Sequence, residues 1–360
     1  MSASIYSIIT GTGCYVPSRE VGNEAFLSHQ FYEGPDRKSE KPNREIIEKF
    51  QDITTIAERR YIADDLNTSD MAALAAEAAI TAAGIDRETL DYIIVAHNFG
   101  DVRKGSNRID IVPSLASRVK HLLGIENPGA VAYDMIFGCP GWLEGVIQAN
   151  YYLRSGDAKR ALVIGAESLS RIIDPHDRDT MIYSDGAGAV VMEARSGEEP
   201  MGILAHKTRS DTLHYSKMLF MGPSYNRCAP EGDNLYLKMN GRKLYQYALE
   251  HVPQAIKDCL EKSNTPIEKV KKVLIHQANG KMDDAILKRL YSLYGIEEAP
   301  EGVMPMTISW LGNSSVATLP TLLDLIQQGE LPGHELRPGD LVVFASVGAG
   351  MNINAMVYRM

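Results

Sequence analysis

Three residues in this chain combine a side chain suited to acyl chemistry with a local setting that could expose it. Cys139 stands in FGCPGW (137–142), His276 in HQANG (276–280) and Asn313 in LGNSS (311–315). A thiolate attacks a thioester, and an imidazole and a carboxamide can donate hydrogen bonds to the oxyanion that develops. Pro140 suits the first position of a helix, where a backbone N–H would be unpaired anyway. That makes Cys139 the predicted N-cap, beside free backbone N–H groups and the positive end of a helix dipole. Such a setting lowers a thiol's pKa. Gly138 and Gly141 keep bulk away from the sulfur. Taken singly, each residue also has an ordinary structural reading. A free cysteine packs as a small hydrophobe, a strand-end histidine can be satisfied by its neighbours, and a turn asparagine tolerates left-handed backbone.

The elements around these residues argue for a common site. DMAALAAEAAITAAG reads as a helix with Ser69 as its predicted cap and Gly84 as its stop. DYIIVAHNFG, ALVIGAES and GAVVMEA read as buried strands, and WLEGVIQANYYLRSG as a helix ended near Gly156. Strands alternating with helices indicate a layered α/β fold. The second half echoes the first in the same order. DYIIVAHNFG, ending in His97–Asn98, resembles VKKVLIHQANG; FGCPGWLEGVIQANYYLRSG resembles LGNSSVATLPTLLDLIQQG; ALVIGAES resembles LVVFASVGAG. Three echoes at nearly one offset, about half the chain, favour a duplicated unit. We divide it as 1–198, carrying the cysteine, and 199–360, carrying the histidine and asparagine. Pseudo-twofold halves would bring the turns at Cys139 and Asn313 towards one centre.

Bulk properties exclude several classes. The 37 basic and 46 acidic residues give a net charge of −9, against general nucleic-acid binding. No apolar run reaches the ~18 residues of a membrane span. The first residues lack a basic stretch before their apolar run, which predicts no signal peptide. Cys14, Cys139, Cys228 and Cys259 show no CxxC or metal spacing, so a reduced, cytoplasmic protein is expected. Residues 30 to 46, with two prolines and mixed charge, read as a surface insertion. DPHDRDTMIYSDGAGA holds acids and His176 but no ligand spacing, and we assign no metal.

FGCPG, HQAN and GNSS resemble the active-site motifs of the β-ketoacyl-acyl-carrier-protein synthase III family, within the thiolase-fold superfamily. The resemblance runs from GTGCYVP through AERRYI, DPHDRDTMIYSDGAGAVV and HQAN to SVGAG. It implies a thiolase-like fold of two pseudo-twofold α/β halves in α-β-α-β-α layers. It also implies Cys139 as the acyl-carrying nucleophile. His276 and Asn313 would bind the malonyl thioester oxygen during decarboxylation, and the backbone N–H groups of Cys139 and Ala349 would form a second oxyanion hole. The implied reaction is a decarboxylative Claisen condensation of an acyl primer with malonyl-acyl carrier protein, with no cofactor. The alternatives are an acyltransferase using the same cysteine without condensation, and a silent partner subunit, against which the intact Cys139, His276 and Asn313 speak. A degradative thiolase would carry a second cysteine in SVGAG, elongating synthases a histidine in place of Asn313, and a papain-like protease C-G-S-C-W near its start.

The resemblance further places carrier-protein docking residues at Lys281, Lys288 and Arg289, after HQAN; the plain reading of each is a solvated helix face. A homodimer is expected by analogy. Relatives that prime with acyl-CoA carry a Trp and an Arg before the AERRYI segment to grip adenine. Here Lys49 and Ile53 occupy those places. This leaves two donors, an acyl carrier protein or a differently bound CoA. It also leaves two settings, fatty-acid initiation or a specialised route to polyenes, alkylresorcinols or similar lipids. Tyr133, Met135, Phe137, Trp142 and Met351 flank the motifs and are either acyl-pocket walls or core.

Overall fold

A computed structural model describes residues 4–228 and 233–360. Two sheets organise them. The first has the order β1 (Ser4–Tyr15), β9 (Asp185–Gly197), β8 (Arg160–Ser168), β4 (Tyr92–Ala96) and β7 (Val131–Met135). The second has the order β10 (Gly202–Ser210), β15 (Asn352–Arg359), β14 (Leu341–Gly348) and β13 (Val270–Ile275). In both, the first two pairings are antiparallel, and the pair β8–β4 in one and β14–β13 in the other is parallel. The repeated sequence segments therefore fold into the same topological unit twice, and β7 extends the first. Short ribbons β2–β3 (Arg19–Gly22, Glu58–Tyr61), β5–β6 (Asp101–Val102, Ile109–Asp110) and β11–β12 (Leu219–Pro223, Leu235–Met239) decorate this frame.

Alternation along the strands fixes the layering, because successive side chains leave a strand on opposite faces. Ile94 and Ala96 of β4 and Leu274, Val342 and Phe344 of the second sheet meet α4 (Gly141–Ser155) and α9 (Thr318–Gln327) between the sheets. Ile93 and Val95 face α2 (Thr68–Ala83) and α3 (Leu115–Leu122) on the outside. Val273, Ile275, Val343 and Ala345 face α6 (Gly241–Lys262) and α7 (Gly280–Ser292) on the other outside. The result is the expected α-β-α-β-α stack. α1 (Asn43–Thr54), α5 (Thr212–Tyr215) and α8 (Ile308–Leu311) lie in the connections.

Several local expectations shift. α2 is capped by Asn67 with Asp70 completing a capping box, and Ser69 lies inside the first turn with its hydroxyl on Asp101. A box satisfies two free N–H groups at once, which a lone serine cannot. α4 starts at Gly141, so Pro140 rather than Cys139 is its N-cap. The 30–46 segment is mainly exposed, but Phe31 and Ile46 are buried and α1 begins within it. The acidic stretch after β8 serves structure: Asp174 and Asp177 hold the buried Lys238 of β12, and the ring of Tyr225 covers its ammonium. No helix among the described residues is long and apolar enough to cross a membrane.

Candidate active site

Two glycine turns are pressed together at the centre. Gly138 adopts φ 68°, a backbone region that glycine enters without steric cost. A Cβ built on it would lie 2.6 Å from the Ala349 backbone nitrogen. A Cβ on Gly348 would lie 2.4 Å from the Cys139 nitrogen. Only hydrogen fits at either place, and this close approach sets the Cys139 and Ala349 backbones side by side. The turns belong to the two halves: one follows β7, the other ends β14.

Asn313 reaches the same place from the second half. Its N–H donates to Ile182 O and its C=O accepts from Ser184 N–H, both at 2.9 Å, which pins it beside Tyr183. Its Oδ1 accepts from Ser315 N–H at 2.8 Å, so Nδ2 is the group it can offer a ligand. His276 follows β13, buried, with its N–H on Ala345 O at 2.9 Å. Its Nδ1 has no protein partner, and burial pushes the imidazole down to about 4, so the ring is neutral at pH 7. The rest of HQAN is scaffolding. Gln277 accepts from Thr307 and Ile308 N–H and donates to Pro305 O, and Asn279 caps α7 through Met282 N–H.

The thiol departs from expectation. Burial pushes Cys139 up to about 11 and the nearby Glu167 carboxylate adds to the rise, while a hydrogen bond from Ser315 Oγ at 3.4 Å opposes it. Desolvation disfavours the charged form more strongly than a helix end one residue farther away favours it.

Cys139, His276, Asn313 and Ala349 line one cavity of about 80 Å³. Its apolar walls include Phe99, Leu169, Leu219 and Leu237. None of Tyr133, Met135, Phe137, Trp142 or Met351 is among them; Trp142 and Met351 are fully buried core. Phe99 follows β4 in a segment the repeat marks, whereas Leu169 after β8, Leu219 of β11 and Leu237 of β12 carry no motif in the sequence. Ile182, Met239, Leu244, Ala278 and Met282 also border a larger cavity of about 620 Å³. That cavity carries Lys41, Lys49, Arg178 and Arg242 together with Glu45 and Asp179, which pair with Lys41 at 2.7 Å and Arg178 at 3.8 Å, and Ile53 lines it too. Lys281, Lys288 and Arg289 are exposed on α7, whose first turn contributes Met282 to both cavities.

Comparison with known proteins gives the family. The family model for 3-Oxoacyl-[acyl-carrier-protein (ACP)] synthase III matches residues 133–212, and that of its C terminal part matches residues 260–360. The β-ketoacyl-[acyl carrier protein] synthase III of Thermus thermophilus is 30% identical over 98% of this chain and 99% of its own, with a TM-score of 0.78. The chain belongs to the 3-oxoacyl-acyl-carrier-protein synthase III family. The Aquifex aeolicus VF5 synthase III is 28% identical, covering 98% of this chain and 100% of its own, at TM-score 0.76. Xanthomonas campestris OleA, solved with bound lauric acid and lauroyl-CoA, shares the fold at 18% identity, 99% coverage of both chains and TM-score 0.77. As a member of this synthase III family, the protein is an acyl-transferring condensing enzyme, and the family acts on acyl carrier protein substrates.

Proposed function

We propose that this synthase III carries out a decarboxylative Claisen condensation, with Cys139 as the acyl-carrying nucleophile. The observation that carries the reading is the meeting of Cys139, His276, Asn313 and Ala349 in one cavity that shares wall residues with a larger, charged one. Cys139 Sγ attacks the primer thioester as its proton passes to the departing donor sulfur, the Cys139 and Ala349 N–H groups hold the oxyanion, and the donor thiol leaves. The malonyl thioester then enters. Its C–C bond to the carboxylate breaks, CO2 departs, and the electron pair becomes an enolate held by His276 and the Asn313 Nδ2 group. The enolate carbon attacks the acyl–Cys139 carbonyl, and collapse expels the thiolate with a new C–C bond in the 3-oxoacyl product. Every electron pair is accounted for within the thioesters, and we assign no cofactor. The halves 1–198 and 199–360 divide the roles, one supplying the nucleophile and the other the enolate donors.

The primer donor in this reading is an acyl carrier protein. Lys49 and Ile53 stand where relatives that prime with acyl-CoA carry a Trp and an Arg, and Lys49 and Arg242 of the larger cavity, unpaired among the described residues, suit the phosphopantetheine phosphate that a carrier protein presents. The exposed Lys281, Lys288 and Arg289 suit the acidic face of a carrier. The unpaired edge of β7, with exposed Val131 and Ile136 and the nearby exposed Ile111 and Val112, supports a homodimer that covers it. Four unpaired cysteines support a reducing, cytoplasmic setting.

Intact-protein mass spectrometry tests the reading. The protein is incubated with acyl-carrier-protein and acyl-CoA thioesters and then chased with malonyl-acyl carrier protein. Expected is one acyl increment, absent in Cys139→Ser, discharged by the chase with CO2 release. Loading without malonyl-dependent discharge would instead identify an acyltransferase, and loading from CoA alone would overturn the donor.

A further inference from the structure

Asn98 and Glu167 have no part in the steps above, yet both connect to the nucleophile. Glu167 lies fully buried near the end of β8. Its Oε2 accepts from the Asn98 backbone N–H at 3.0 Å and from Asn98 Nδ2 at 2.7 Å. Asn98 Nδ2 also donates to Ser315 Oγ at 3.2 Å, and the Ser315 hydroxyl donates to Cys139 Sγ at 3.4 Å. An amide nitrogen has two hydrogens, so both Asn98 bonds form together. Ser315 sits at φ 55°, in a region a non-glycine residue rarely enters, and its N–H on Asn313 Oδ1 keeps it there.

The chain of bonds has a direction. A hydroxyl has one hydrogen to give. With Asn98 N–H on its acceptor side, Ser315 has that hydrogen free for the sulfur. A flipped Asn98 would turn Oδ1 to Ser315 and take the hydrogen away from Cys139. Glu167 opposes the flip in either protonation state, because its Oε2 already accepts from the Asn98 backbone N–H and Asn98 Oδ1 would then face that acceptor, while any proton sits on the unpartnered Oε1. The other titratable groups at the cavity are His276, after β13, and Tyr183, before β9; no Lys or Arg is among the described residues lining it. Ser315 is thus the side chain that opposes the burial of the thiolate.

We propose that Asn98 and Glu167 are positioning residues for Cys139: Glu167 locks the Asn98 carboxamide, and Asn98 aims the Ser315 hydroxyl at the sulfur. The proposal rests on Cys139 being the nucleophile. Its test reads the sulfur without any substrate, so its failure and the failure of that reading are separable.

The measurement is the rate of iodoacetamide alkylation of Cys139 against pH in the full chain, with peptide mapping to count the exposed Cys228 apart. Ser315→Ala should slow alkylation at neutral pH about tenfold and move the profile to higher pH. Asn98→Leu should slow it about threefold or more in the wild-type background and add nothing in the Ser315→Ala background. Glu167→Leu and Glu167→Gln both remove the charge that raises the thiol, so they are compared with each other: Glu167→Gln, which keeps the acceptor, should be alkylated about threefold or more faster than Glu167→Leu. Equal slowing by Asn98→Leu in both backgrounds would overturn the proposal, as would a Glu167→Gln protein as slow as Glu167→Leu. Thermal melts accompany each variant, and Asn98→Ala replaces Asn98→Leu in the same comparison if the latter does not fold.

Discussion

An alanine at Gly348 would place its methyl carbon 2.4 Å from the Cys139 backbone nitrogen and 2.7 Å from Pro140 Cδ. Ordinary contact begins at 3.4 Å, so the two turns must separate by about 1 Å. The obstacle is backbone and a proline ring, which cannot swing aside as a flexible side chain would. Overpacking of this kind costs roughly 1–3 kcal/mol of stability. The functional cost should be larger. The Cys139 and Ala349 N–H groups act together only while these turns touch, and a misplacement of about 1 Å costs on the order of 100-fold in rate. Gly348→Ala should therefore fold, melt a few degrees lower, and load acyl groups on Cys139 about 100-fold more slowly. Time-resolved intact-mass spectrometry of loading gives the rate, and thermal unfolding gives the stability. Gly22→Ala is the control, because nothing lies within 4 Å of its Cβ position. Loading within about threefold of wild type in a folded Gly348→Ala protein would refute the pairing of these N–H groups.

Three other predictions address separate parts of the site. His276→Ala and Asn313→Ala should each reduce malonyl decarboxylation by about 100-fold or more while acyl loading changes much less, read by CO2 release and by mass. Because burial lowers His276 to about 4, its ring resonances should not titrate between about pH 5 and 8 by NMR. The unfolded ring takes up a proton near pH 6.5 and the folded ring does not, so His276 makes stability fall as pH drops from about 6.5 to about 4. A melting series in which His276→Asn removes that part of the pH dependence checks the sign. Charge reversal at Lys281, Lys288 and Arg289 should raise KM for acyl carrier protein several-fold, more at low salt, and leave loading from a small pantetheine thioester unchanged.

The sequence by itself determined the frame and pointed to the proposed reactive set. Apolar runs such as YIIVA and ALVIGA carry too few polar groups to be anything but buried strands, and their repetition announced two like sheets. Cys139, His276 and Asn313 were legible because each sits at a strand end or glycine-led turn of a repeated segment, and a duplicated unit brings such turns together. Helix boundaries were less legible, since a cap is decided by which polar group reaches the free N–H first: Asn67 and Asp70 together displaced Ser69. Only the tertiary structure decided what surrounds the sulfur. Glu167, Asn98, Tyr183 and Ser315 come from four separate segments, and their effect on Cys139 depends on burial and hydrogen-bond direction that spacing along a chain does not encode. The helix end predicted a lowered thiol, and desolvation by the assembled halves reversed it. The cavity's apolar walls likewise include Leu219 of β11 and Leu237 of β12, which carry no motif and line it only because the fold brings them there.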